Sequence, residues 1–339
     1  MPLETTEPAR DHNPDHADHA DHADHAVYTG DPVPDLPPLS RRQSTRLIQL
    51  ALSTTADLGL SLTYRGGTTL VSADPSSDQL LGLSNLARIL AGHPEDFWPA
   101  LVTEHFTDLL DQLDNGTAPL PEAPQRDLIQ RLVPRASLPP GWSIDRPEFV
   151  PGLLSVPSTA TDGIITMYLK PSDLGISWDQ AEAYGLANLR RLTDEVEYFD
   201  HDELRLAAIT GSPFAASRAL VLDTVLRESL KVDAPHGVLA AAPARDTLLL
   251  HVINDLSVIP ALGLMLNVAA RCYTRDPGPL SAEVYLVTPD LTWHPATTVL
   301  PDHTPLRMSP VLESLTQQLS DHELSKDALS NNKVSDPEV

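Results

Sequence analysis

Five histidines lie close together near the start of the chain, His12, His16, His19, His22 and His25, each directly preceded by an aspartate. A neutral imidazole is a good ligand for Zn, Ni or Cu, and an adjacent carboxylate can orient or supplement it. A D-H-A repeat over 15–26 puts successive rings three residues apart, so several could wrap one ion, although ordering the chain weakens such binding. The sequence has no CxxC pair, which argues against a structural zinc site and leaves weak Zn or Ni handling as the metal chemistry of this tract. A solvated repeat without selected chemistry is the plainer reading, and the favoured one.

A second constellation is Arg245 and Asp246, in a turn between two strongly apolar segments, together with Arg218 near the start of a helix. The three would form an anion- or carboxylate-recognition patch, and an enzyme built on them requires the side chains to converge in one pocket. The alternative has Asp246 closing its own turn and the arginines pairing locally. Asn188 shares a helical face with Ala181, Tyr184, Gly185 and Leu192. An amide in an apolar stripe must be satisfied or cost about 1–3 kcal/mol. A ligand could satisfy it, but buried side chains more often bond backbone, here that of a neighbouring loop.

His251 lies in Leu248-Leu249-Leu250-His251-Val252-Ile253, on the face of Leu249 and Ile253. It is a general-base candidate that reads more simply as a satisfied core histidine. Cys272, near Arg271 and Arg275, could have an acidified thiol, but a bystander thiol is favoured. Asp194, Glu195, Glu197, Asp200, Asp202 and Glu203 lack the spacing and turn glycine of a calcium loop and read as a solvated rim. There is no GxGxxG, P-loop, GxSxG or HExxH pattern, so the familiar nucleotide enzymes, serine hydrolases and zincins are excluded. An enzyme whose residues meet only in three dimensions is not.

These residues need elements to hold them. Apolar spacing predicts helices over 41–57, 77–91, 94–113, 177–192, 215–229 and 257–272. Strands are predicted at 60–64 and 68–72, paired across Arg65-Gly66-Gly67, and at 127–133, 149–156, 163–169, 195–199, 204–210, 237–242, 247–253, 284–287 and 291–294. Both faces of 247–253 are apolar, which places it centrally in a sheet. Helices and strands mix without a regular βαβ alternation, so the expected class is α+β with a mostly antiparallel sheet. The expected organisation is an Asp/His-rich disordered tail over 1–39, a mainly helical N-terminal subdomain over 40–114, a Pro-rich connector, an α+β domain over 126–319, and a fraying tail over 320–339.

Of 339 residues, 47 are acidic and 23 basic, a formal charge of −24. The two tails carry −8 and −3, so the body keeps −13. That balance removes the electrostatic term that drives general nucleic-acid binding, and it disfavours anionic lipid. A single cysteine excludes an internal disulfide framework. The start has no signal-peptide pattern, and no run approaches the roughly 18 apolar residues of a bilayer span. A cytoplasmic setting with no membrane and no nucleic-acid partner is the expectation.

Over 180–255 the chain resembles a bacterial family known only as domain of unknown function 1444. The matching residues are Ala187-Asn188-Leu189-Arg190 with Leu192, Gly211, Ala216-Ser217-Arg218, Gly237, Pro243, Asp246, Leu248 and Leu249. The resemblance implies an α+β cytosolic domain and no activity. The expected function is accordingly a non-catalytic binding or adaptor domain with a protein partner. The alternatives are an enzyme or small-ligand binder near Arg218, Arg245 and Asp246, and metal handling by the histidine tract.

Overall fold

The computed structural model describes residues 36–66, 68–73, 80–114, 121–138, 146–161, 164–201, 204–298 and 307–333. The histidine tract lies outside them, as do Asp202 and Glu203.

The N-terminal unit begins before the boundary expected from composition. Leu36 is 1% exposed and packs in the core with Leu47, Trp98 and Phe106, so 36–39 belongs to the fold despite its prolines. Helix α1 (Arg41–Asp57) runs over the residues its periodicity predicts. Ser40 and Gln43 close its first turn reciprocally, Ser40 Oγ accepting from Gln43 N at 3.4 Å and Gln43 Oε1 accepting from Ser40 N at 3.1 Å. Strands β1 (Leu62–Tyr64) and β2 (Thr69–Ser72) form the expected hairpin. A third strand, β3 (Leu80–Gly82), pairs with β2 where a helix was expected from 77. Its short apolar run fits either period, and pairing with β2 decides the conflict. Helix α2 (Ser84–Ala91) is therefore shorter, and α3 (Trp98–Asp114) packs against α1 and α2.

After the one-turn α4 (Pro124–Asp127), strands β4 (Ile129–Pro134), β5 (Leu153–Thr161) and β6 (Ile164–Met167) form an antiparallel sheet in that order. Helix α5 (Trp178–Leu189), capped by Ser177 and Gln180, lies across β4. Gly185 permits this close approach, since a Cβ there would stand 2.8 Å from Gln130 N.

The principal sheet has six strands, β7 (Glu195–His201), β8 (Leu204–Thr210), β9 (Val238–Ala244), β10 (Thr247–Val252), β11 (Tyr285–Val287) and β12 (Trp293–Pro295). Their order is β12-β11-β9-β10-β8-β7, with every pairing antiparallel. Strand β10 is central, as its two apolar faces require. Leu248 and Leu250 pack with the segment 216–230 and with Leu132 and Leu153 of the smaller sheet. Leu249 and Ile253 pack with α7 (Val258–Arg275) and α8 (Pro310–Lys333). The fold is α+β, with helical layers on both faces of an antiparallel sheet. No helix among the described residues is long and apolar enough to cross a membrane.

Two further expectations differ. Helix α8 continues to Lys333, through the stretch expected to fray. Leu319 is buried beside the sheet, and Gln317 Nε2 bonds Asp321 Oδ1 at 2.9 Å along the exposed face. The helix expected over 215–229 is a 3-10 segment Ala216–Val221, a single α-turn α6 (Leu222–Thr224) and a π segment Val225–Leu230. Ser217 Oγ accepts from Leu132 N at 3.0 Å, and Ala216 N donates to Arg245 O at 3.3 Å. These tethers hold successive residues to different neighbours, at the expense of regular α geometry.

Gly237 immediately precedes β9 with φ +81°, and a Cβ there would meet Val287 O at 2.1 Å. Gly237→Ala is expected to destabilise the protein by more than about 1 kcal/mol, read from its urea midpoint.

Candidate functional site

The residues singled out by sequence divide into those the fold consumes and those it leaves available. Arg218 is consumed. It is 2% exposed; its Nε lies 2.7 Å from Asp194 Oδ1, its Nη2 donates to Asp194 Oδ2 at 2.8 Å, and its Nη1 donates to Leu189 O. Ser229 Oγ donates to the same Oδ2 at 2.5 Å. Asp194, expected on a solvated rim, is thus the buried counter-ion of Arg218. Chain order hid this, because the partners are 24 residues apart.

Asn188 is consumed as well. Its Nδ2 donates to Leu128 O at 2.8 Å and Gln125 O at 3.1 Å, and its Oδ1 accepts from Arg191 Nη1 at 3.0 Å. The amide ties α5 to the α4 segment, with both Nδ2 hydrogens and one Oδ1 lone pair taken up within the fold.

Arg245 and Asp246 form the two-residue turn between β9 and β10. The register shifts in this hairpin, with Ala242 and Pro243 of β9 facing the single residue Leu248 of β10. This bulge accommodates Pro243, which has no N–H to give the ladder. The turn is held at both ends: Arg245 N donates to Gly278 O at 2.9 Å, and Arg245 O accepts from Ala216 N. Gly278 N in turn donates to Asn85 Oδ1 of α2 at 2.9 Å. Gly278 also leaves room for the Arg245 stem, whose Cδ would be 2.6 Å from a Cβ there. Asp246 accepts from Thr247 Oγ1 at 3.3 Å and is one of the charges beside Cys272. Arg218 points to Asp194, so the expected convergence of Arg218, Arg245 and Asp246 does not occur.

Arg245 has a different companion. Arg131, on β4, reaches over the Phe214 ring with its guanidinium carbon 5.8 Å from the centroid. Its Nη1 is buried without a hydrogen-bond partner among the described residues. Burial, and then the nearby charge of Arg245, pull Arg131 down to about 10. Neither guanidinium forms an ion pair with a carboxylate among the described residues. Arg131 and Arg245 are thus like charges close enough to interact, and one of them carries a buried, unpaired donor. Arg131 was missed in the sequence, although a charge between Ile129 and Val133 on one strand face was the available signal.

Cys272 has no acidified thiol: burial and the neighbouring Asp276 push it up to about 11. His251 is 6% exposed and its Nδ1 lies 3.0 Å from Arg205 O. Glu195, Glu197 and Asp200 stand on β7, Asp200 paired with Arg205 at 2.8 Å. Among the described residues no three His, Cys, Asp or Glu side chains are grouped to hold a metal.

Asp194→Asn leaves Arg218 charged in the core without its counter-ion. It is expected to cost about 3–5 kcal/mol of unfolding free energy, measured by urea titration. Cys272 is expected to react with iodoacetamide at pH 8 far more slowly than a free thiol, until urea unfolds the chain. No family model, curated protein or solved structure matches this chain.

Proposed function

We propose that this chain is a non-catalytic binding protein of the cytoplasm whose ligand presents a compact anion, a phosphate or carboxylate group, to Arg131 and Arg245. The carrying observation is the buried, unpartnered Nη1 of Arg131 beside a second cation. A protein with formal charge −24 has many carboxylates to offer, yet none of the described ones is placed against either guanidinium. The site is preorganised, because β4 carries Arg131, and Arg245 has both backbone groups bonded. Phe214 presents a ring to the guanidinium plane and limits its hydration.

The reading keeps Arg245 from the sequence-derived patch and replaces Arg218 and Asp246 with Arg131. The catalytic alternative loses support because Arg218 is spent on Asp194. The resemblance over 180–255 adds no activity to either reading. Metal handling by His12, His16, His19, His22 and His25 concerns residues outside those described.

Calorimetric titration of inorganic phosphate into the full chain tests the proposal, with Arg131→Met and Arg245→Gln alongside. Saturable one-site binding is expected, weakened at least about tenfold in each variant, since a charge-assisted hydrogen bond is worth 1.5–3 kcal/mol. Absence of binding, or equal affinity in all three proteins, would overturn it.

A further inference from the structure

Helix α1 opens with Arg41-Arg42-Gln43-Ser44-Thr45-Arg46, and none of its residues before Asp57 is acidic. Arg41 and Arg42 in its first turn meet the positive end of the helix dipole, where an anion is the favoured neighbour. With Thr45, Arg46 and Gln49 they line a shallow cleft of about 740 Å³ along one face of the helix.

The fold supplies little charge to balance this face. Glu95 is the only carboxylate among the described residues that pairs with any of the three arginines. Its Oε1 accepts from Arg42 Nη2 at 2.9 Å and its Oε2 from Arg46 Nη1 at 2.6 Å. Arg46 also lies over the Trp98 ring, its guanidinium carbon 5.9 Å from the centroid. The Arg42 side chain stays 83% exposed. Arg41 is exposed, and its guanidinium has no hydrogen bond or ion pair among the described residues. Arg146, by contrast, is paired with both Asp179 and Glu182.

The same chain delivers the complementary charge to this place. Residues 1–35 hold nine acids and one arginine, a formal −8, with Asp15, Asp18, Asp21 and Asp24 at three-residue intervals. They join the fold at Leu36, which is buried in the core of the N-terminal unit five residues before Arg41. Asp24 is 12 residues from Leu36, up to about 40 Å of extended chain, whereas Arg41 to Gln49 covers about 12 Å of helix. Attachment at that point keeps the acids at a local concentration of about millimolar, so exposed and individually weak ion pairs suffice to hold them. The body over 40–319, at a formal −13, repels the same acids elsewhere.

We infer that the acidic segment 11–24 docks on the Arg41, Arg42 and Arg46 face of α1 and covers it within the same chain. The contact is independent of the anion site at Arg131 and Arg245, because it uses other arginines and an occupant that is already attached.

The test places a nitroxide on the full chain through Ala20→Cys, with Cys272→Ser, and reads the arginine Nε–Hε resonances by ¹⁵N NMR. At low salt those of Arg41, Arg42 and Arg46 are expected to lose more than about half their intensity relative to the reduced label, and to regain it in about 0.5 M NaCl, which screens exposed charges beyond a few ångströms. Joint Asp15→Asn, Asp18→Asn, Asp21→Asn and Asp24→Asn substitution, which changes no residue of the described fold, is expected to restore the intensity without added salt. Arg41→Gln with Arg42→Gln, which keeps Arg46 over Trp98, is expected to weaken the effect on Arg46. Broadening that neither salt nor the aspartate substitutions relieve reflects tethering alone and would overturn the inference. Absence of broadening would do the same, as would broadening strongest at Arg131 and Arg245, which puts the segment in the anion site.

Discussion

The Arg218–Asp194 pair is the constraint on which the packing of the C-terminal body depends. Both side chains are almost wholly withdrawn from water, a loss that only close pairing can offset. Asp194 accepts from Nη2 of Arg218, stands 2.7 Å from its Nε in an ion pair without hydrogen-bond alignment, and takes a further bond from Ser229, while Nη1 is given to the last carbonyl of α5. Four pieces of chain are located by this one interaction: the end of α5, the entry to β7, the 3-10 segment and the π segment. The irregular helix of 216–230 follows from it, because Ser217 is tied to β4 while the next residue reaches the opposite way to Asp194.

The same segment sets up a contrast between charges that are met and charges that are not. Phe214, just before it, supports Arg131; Ala216 holds the turn that bears Arg245. One stretch of chain thus buries a neutralised arginine and, a few residues away, helps to hold two arginines that have no described counter-ion. Desolvation of an unpaired guanidinium beside a like charge works against the folded state. A fold able to bring Asp194 to Arg218 had the acids to quench Arg131. Their absence from the pair is the physical ground for assigning an external anion to it.

The fold class and the central position of β10 were legible in the sequence because hydrophobic periodicity and the two apolar faces of 247–253 are local signals. Helices α1 and α5 were legible because Ser40 with Gln43, and Ser177 with Gln180, mark their starts. Strand β3 was not, since three residues are too few to show a period and only β2 decides their state. Leu36 was hidden in a Pro- and Asp-rich context, where composition outweighed one leucine. At the site, Arg245 stood out because a charge in a tight turn has few roles. Arg218 was misplaced, since nothing near it in sequence announces a carboxylate 24 residues earlier. The convergence of Arg131 with Arg245 joins two different sheets, a relation that neither strand's own pattern contains.

The central claim is that Arg131 carries a positive charge which the protein itself does not compensate. It is tested most directly by urea unfolding of Arg131→Met against the parent protein, in a buffer with chloride as the only anion. The account predicts that the variant is at least as stable, because a hydrophobic side chain of similar length keeps the contact with Phe214 and removes the desolvated charge. A loss of about 3 kcal/mol or more, the cost of breaking a buried pair, would show that Arg131 already has a counter-ion and would contradict the account.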